Sequence, residues 1–151
     1  MLKYATTQIV FQEFPNEISF AINISNCPHR CNGCHSAYLR ENVGEVLDKD
    51  SLYKLIEKDL PYITCVGFMG GDADVDTLVE LSDYVHSLGK KTGWYSGNES
   101  ISKDIMNHFD YVKIGPYKEE LGGLNSKTTN QTFYVKENEG RFVDRTDLFH
   151  K

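Results

Sequence analysis

Between residues 18 and 114 the chain alternates short apolar runs with stretches of helical period, and this alternation restricts the possible folds most. In Ile18-Ser19-Phe20-Ala21-Ile22-Asn23-Ile24-Ser25 the large apolar residues fall at every second place, as a half-buried strand requires. Gln8 to Phe11 reads as a short partner strand before a Phe14-Pro15-Asn16 turn. Asp50-Ser51 is placed to cap a helix through Leu60, with Leu52, Leu55, Ile56 and Leu60 on one face and Pro61 as its stop. Ile63 to Met69 is a mostly apolar run that suits a fully buried strand, broken by Gly70-Gly71-Asp72. Val75, Leu78, Val79, Ser82, Val85 and Leu88 mark the inner stripe of the next helix, ended by Gly89. Lys91 to Tyr95 is a strand, Ser96-Gly97-Asn98 a loop, and Ile101, Ile105, Met106 and Phe109 mark a further helix. Tyr111 to Ile114 is a strand ended by Gly115-Pro116. Beyond a glycine-bearing loop, Thr132–Val135 and Arg141–Val143 predict a closing hairpin turned at Asn138-Glu139-Gly140.

Strands that alternate with helices imply parallel strands joined by crossover helices, an α/β fold. There are too few units for a closed eight-stranded barrel, which takes about 250 residues. The expectation is a partial, incomplete βα barrel of mostly parallel strands, formed by residues 1–151 as a single domain. In such a sheet the loops that follow the strands gather at one edge, where ligands bind. Here those loops are residues 26–35, 70–72, 96–98 and 115–116.

Charge narrows the partners. Sixteen basic against twenty-two acidic residues leave a net charge of −6, which argues against general nucleic-acid binding or docking on an anionic membrane. No apolar run approaches the roughly 20 residues that span a bilayer, and the N-terminus turns polar too soon for a signal peptide. The expected location is therefore the cytoplasm, where thiols stay reduced.

That expectation gives weight to four cysteines, Cys27, Cys31, Cys34 and Cys65. Three stand in Cys27-Pro28-His29-Arg30-Cys31-Asn32-Gly33-Cys34, a C-x3-C-x2-C spacing. Soft thiolates suit zinc or an iron–sulfur cluster. A structural zinc site ordinarily draws four ligands as two short pairs, and no second pair exists. His29, His35 or Cys65 are the available fourth ligands, but Cys65 lies in an apolar strand and reads more simply as a small core residue. Three thiolates on a four-iron cluster leave one iron open to a substrate, and the spacing favours that arrangement.

A C-x3-C-x2-C loop directly after the first strand of an α/β chain resembles the radical S-adenosylmethionine (SAM) superfamily. Cys27 to His35 is particularly similar to the activating enzymes of class III, anaerobic ribonucleotide reductases, which commonly carry glycine before the third cysteine, as at Gly33. Gly70-Gly71-Asp72 resembles their GGD/GGE loop, and Ser126-Lys127-Thr128-Thr129-Asn130-Gln131 their Ser-rich Asn-Gln element. The likeness spans roughly residues 17 to 135. Ala73 stands where many relatives have proline, and Ile114 where several have aspartate.

The resemblance implies one 4Fe-4S cluster held by Cys27, Cys31 and Cys34, whose open iron chelates SAM. Reductive cleavage would yield a 5′-deoxyadenosyl radical that takes hydrogen from a glycine of the large catalytic subunit of anaerobic ribonucleotide reductase. A low-potential electron donor such as flavodoxin is implied as the second partner. Gly70 and Gly71 would let backbone approach the methionine moiety, and Asp72 or carbonyls beside it would accept from its ammonium. Asp72 or Asp74 also suits the simpler role of capping the following helix. The backbone of Gly33 and His35 would line the adenine side, although His35 equally suits a helix start. His29 and Arg30 would tune the cluster or face solvent. Ser96 and Asn98 are candidates for SAM's ribose or carboxylate in what is otherwise an ordinary turn. Lys113 is placed to meet a carboxylate, or to be a solvated strand edge.

Two other readings stay open. One is an activase of another glycyl-radical enzyme of the pyruvate formate-lyase type; those relatives tend to be longer and often carry extra cluster motifs, which this chain lacks. The other is a non-catalytic, colourless zinc-binding module. Alanine at Cys27, Cys31 or Cys34 is expected to abolish cluster assembly, measured as bound iron and sulfide after anaerobic reconstitution. Cys65→Ala is expected to keep the cluster and lose only a modest amount of stability.

Overall fold

The computed structural model describes residues 2–25, 44–137 and 140–149. Eight strands form one sheet there: β1 (Leu2–Val10), β2 (Ser19–Ile24), β3 (Glu45–Leu47), β4 (Cys65–Met69), β5 (Lys91–Tyr95), β6 (Tyr111–Ile114), β7 (Thr132–Lys136) and β8 (Phe142–Asp144). Three helices accompany them, α1 (Lys49–Ile56), α2 (Val75–Ser87) and α3 (Lys103–Met106). The strand order is β3-β1-β2-β4-β5-β6-β7-β8.

The pairing is parallel from β2 through β4 and β5 to β6. It is antiparallel for β1 with β2 and β3, for β6 with β7, and for β7 with β8. The sheet is thus mixed, whereas mostly parallel strands were expected. Parallel strands need a long crossover, and the β1–β2 and β7–β8 connections are short enough to fold straight back, whereas β3 and β7 return antiparallel after longer ones. Within the parallel part each new strand adds on the same side as the last. Right-handed crossovers then bring every helix to one face. Phe20, Ile22, Ile24, Val66, Phe68, Trp94 and Val112 meet Leu52 and Ile56 of α1, Leu78, Leu81 and Val85 of α2, and Met106 of α3 on that face. Among the described residues the other face carries no α-helix, only the short 3-10 turn Thr146–Phe149, whose Phe149 meets Phe133 at 4.7 Å. The buried cluster there is Cys65, Tyr111 and Phe133 with Phe14 and Leu124 from loops.

Local chemistry explains the differences from the predicted elements. The first helix starts two residues earlier than Asp50-Ser51 suggests and ends at Ile56, short of the predicted Leu60. Asp48 is its N-cap, accepting from the Ser51 amide at 2.9 Å, while the Ser51 hydroxyl accepts from the Asp48 amide in a reciprocal capping box. β1 is far longer than the predicted Gln8–Phe11. Its register against β2 slips between Tyr4 and Thr6, which breaks the alternation a reader would look for. The predicted helix through Phe109 shortens to Lys103–Met106, capped by Ser102. β5 and β6 have the predicted bounds. Among the described residues no helix is long and apolar enough to cross a membrane.

At the amino-terminal end of the parallel strands one polar knot joins α2, β5 and β6. The Asp110 carboxylate accepts from the Thr92 amide at 2.9 Å and meets His86 Nε2 at 2.8 Å, while the Thr92 hydroxyl lies 2.7 Å from the buried Ser82 hydroxyl. Burial alone would raise the Asp110 carboxyl, but the hydrogen bonds from His86 and the Thr92 amide outweigh it and hold it below the usual carboxylate range. A depressed folded-state value makes this contribution present above the unfolded carboxylate value, about 3.9, and lost as pH falls through the folded one. Asp110→Asn is expected to be less stable than the parent near pH 7, with the difference shrinking below about pH 4. Urea unfolding across pH checks this.

Candidate functional site

The carboxyl ends of β2, β4, β5 and β6 bring Ser25, Gly70–Asp72, Ser96–Asn98 and Gly115 to one edge. The segment that bears Cys27, Cys31, Gly33, Cys34 and His35, with His29 and Arg30, leaves the sheet at Ser25; these residues lie outside the described ones. Both flanks of that segment rest on β1. The Ser25 amide donates to the Lys3 carbonyl at 2.9 Å. Gly44, with φ +95°, sits so close to the Tyr4 carbonyl that any Cβ would collide with it.

The glycine loop is built by backbone necessity. Gly70 and Gly71 have φ of +113° and +98°, a region that L side chains rarely enter. A Cβ on Gly70 would lie 3.1 Å from the Ile24 carbonyl, and one on Gly71 3.1 Å from Leu78 Cδ1. The missing side chains therefore serve close packing against β2 and α2. The Gly70 carbonyl accepts from the Trp94 indole at 2.8 Å. The cap of α2 is Asp74, which accepts from the Thr77 amide and hydroxyl. This separates it from Asp72.

Asp72 ties two loops together. Its carboxylate accepts from the Ser96 hydroxyl at 2.7 Å and the Gly97 amide at 2.8 Å. Ser96 is fully buried, and its oxygen also accepts from the Asn98 amide at 3.0 Å. The Ser96 proton is thus committed within the protein. The Asn98 carbonyl in turn accepts from the Gly115 amide at 2.6 Å. Loops after three successive strands are linked in series.

The predicted solvated reading of Lys113 is corrected here: only 8% of it is exposed. It shares the helix-free face with Tyr111, and its ammonium donates to the Ser96 carbonyl at 2.8 Å and the Gly115 carbonyl at 2.9 Å. A buried cation on carbonyl oxygens is compensated by charge-assisted bonds. Its signal in the sequence was the alternation Tyr111, Lys113, which sets both on one face. In the Ser126–Gln131 stretch, Asn130 Nδ2 donates to the Pro116 carbonyl and the Gln131 amide nitrogen to the Gly115 carbonyl. That stretch folds back under the β6 loop.

Among the described residues no group of three or more His, Cys, Asp or Glu side chains is arranged to hold a metal ion. Cys65 is wholly buried, and burial pushes its thiol far up, away from the thiolate that ligates metal. The donor chemistry that fits a cluster is therefore the C-x3-C-x2-C run.

The profile of the 4Fe-4S single cluster domain matches residues 18–133, from the residue before β2 into β7. The chain belongs to this iron–sulfur family, which is found among radical SAM proteins. No curated protein and no solved structure matches it.

Removing the Asp72 carboxylate leaves the Ser96 hydroxyl and Gly97 amide without their acceptor. Asp72→Ala is expected to cost about 1–3 kcal/mol of stability and to speed amide exchange at Gly97. Denaturant unfolding and hydrogen exchange followed by NMR measure the two effects.

Proposed function

We propose that the protein is a radical SAM activase of partial-barrel type, which generates a glycyl radical on the large subunit of anaerobic ribonucleotide reductase in the cytoplasm. The observation that carries the reading is the family match over residues 18–133, with the C-x3-C-x2-C run inside it. Cys27, Cys31 and Cys34 are the ligands of the single 4Fe-4S cluster, and the fourth iron position is left for SAM. When bound, the cluster and SAM supply one-electron cleavage of a sulfonium–carbon bond and hydrogen-atom abstraction. The chain's own residues orient and enclose. Gly70–Asp72 and the Ser96–Asn98 turn would form a wall for SAM, and Gly33 and His35, which lie outside the described residues, would line its adenine side.

The linked loops support this reading. Asp72, Ser96 and Lys113 hold the edge in one arrangement through hydrogen bonds of 2.7–2.9 Å, so little reorganisation is left for the moment of reaction. A low-potential donor such as flavodoxin would supply the electron.

Anaerobic purification with iron and sulfide analysis, followed by EPR of the reduced protein, tests the proposal. About four irons per chain are expected, with a spectrum that changes when SAM is added. A colourless protein holding one zinc and taking up no cluster on reconstitution would overturn it in favour of the binding module.

A further inference from the structure

The helix-free face is built in three rungs. Ser19, Cys65 and Lys91 are register partners in the first, Ala21, Gly67, Gly93 and Tyr111 in the second, and Asn23, Met69, Tyr95 and Lys113 in the third. Two glycines paired across the central strands leave a hollow, and Phe14 fills it. A Cβ on Gly67 or on Gly93 would run into the Phe14 ring, which is wholly buried. Tyr95 meets that ring edge-on at 5.3 Å, with Tyr111 at 5.6 Å and Phe133 at 6.2 Å.

The loop is fastened on both sides of this ring. The Tyr95 hydroxyl donates to the Glu13 carbonyl at 2.6 Å, and the Tyr111 hydroxyl donates to Glu17 Oε2 at 2.6 Å. Lys91 adds an ion pair to the same Glu17 oxygen at 3.5 Å. Asn16 turns the chain with φ +65°, a conformation for which asparagine is enriched. Burial raises both phenols well above their ordinary values, so they stay protonated donors. A groove of about 750 Å³, lined by Gln12, Pro15, Asn16, Tyr111, Arg145 and Phe149 among others, lies along the same loop. Phe14 is not among its lining residues.

A small-molecule substrate is ordinarily enclosed, with roughly 70–90% of its surface buried. In an open sheet with helices on one face, the other face is where such an enclosure would form. Here the second rung is taken by Phe14, and Met69, Tyr95 and Lys113 occupy the third. We infer that Phe14 is a specificity-determining residue, one that denies the centre of this face, over Gly67 and Gly93, to a small hydrogen donor and leaves the carboxyl edge, to which a segment of another polypeptide can reach. This rests on the radical reading above.

The test needs no cluster for its first arm. The chain has three methionines, so ¹³C-methyl methionine labelling isolates Met69, which packs against the Phe14 cluster. Phe14→Ala is expected to bind benzene in place of the lost ring, with a Met69 methyl shift that saturates near about 1 mM. The parent should show no shift over the same range. Benzene binding by the parent at Met69, or none by a folded Phe14→Ala, would overturn the inference. If Phe14→Ala does not fold, Phe14→Val with pressurised xenon gives the same comparison. In the second arm, cluster-loaded protein reduced with dithionite is given SAM with N-acetylglycinamide or with a glycine-containing peptide. Phe14→Ala should raise the ratio of small-donor to peptide-supported SAM cleavage by about tenfold, and an unchanged ratio overturns the specificity role. Loaded parent protein that cleaves no SAM overturns the radical reading instead, and the benzene arm still reports whether Phe14 closes the centre of the face.

Discussion

The in-order parallel pairing of β2, β4, β5 and β6 is the constraint from which the rest follows. It forces the crossovers to one side, so one sheet face becomes an apolar seam with three helices and the other is left to loops. It also sends the loops that follow these strands to a common edge. Chemistry at that edge then depends on short-range polar links: a carboxylate at Asp72, a hydroxyl at Ser96 and an ammonium at Lys113. Their work is to hold backbone in place.

Much of this architecture could be read from the residues, because β4, β5, β6 and α2 each combine a clear period with a stop such as Gly89 or Gly115. What could not be read had physical causes. The slip between Tyr4 and Thr6 hides β1, and β3 is too short to show a period. The capping box of Asp48 with Ser51 competes with an equally plausible start two residues on. The antiparallel β7 and β8, by contrast, lie within one residue of the predicted closing hairpin.

The site divided in the same way. Spacing alone singled out Cys27, Cys31 and Cys34, and topology placed Gly70–Asp72 and Ser96–Asn98 at one edge. Roles were harder than positions. Asp72 reads naturally as a ligand-facing acid, yet its oxygens engage Ser96 and Gly97. Lys113 reads as a solvated lysine, yet it is buried beneath two carbonyls. Such reversals arise because a polar side chain at a strand end has two ways to satisfy itself, and only three-dimensional neighbours choose between them.

The anchoring of Ser25 and Gly44 on adjacent β1 residues, Lys3 and Tyr4, has a thermodynamic meaning of its own. The described residues on either side of the span 26–43 are held next to each other by β1, one through a hydrogen bond and one through close backbone packing. Closing a loop of that size costs about 3 kcal/mol of chain entropy, and β-sheet formation bears that cost whether or not iron is present. A cluster bound within that span would therefore not have to bring its two flanks together. This is the reverse of a zinc finger, in which the metal must gather a chain that is otherwise unfolded.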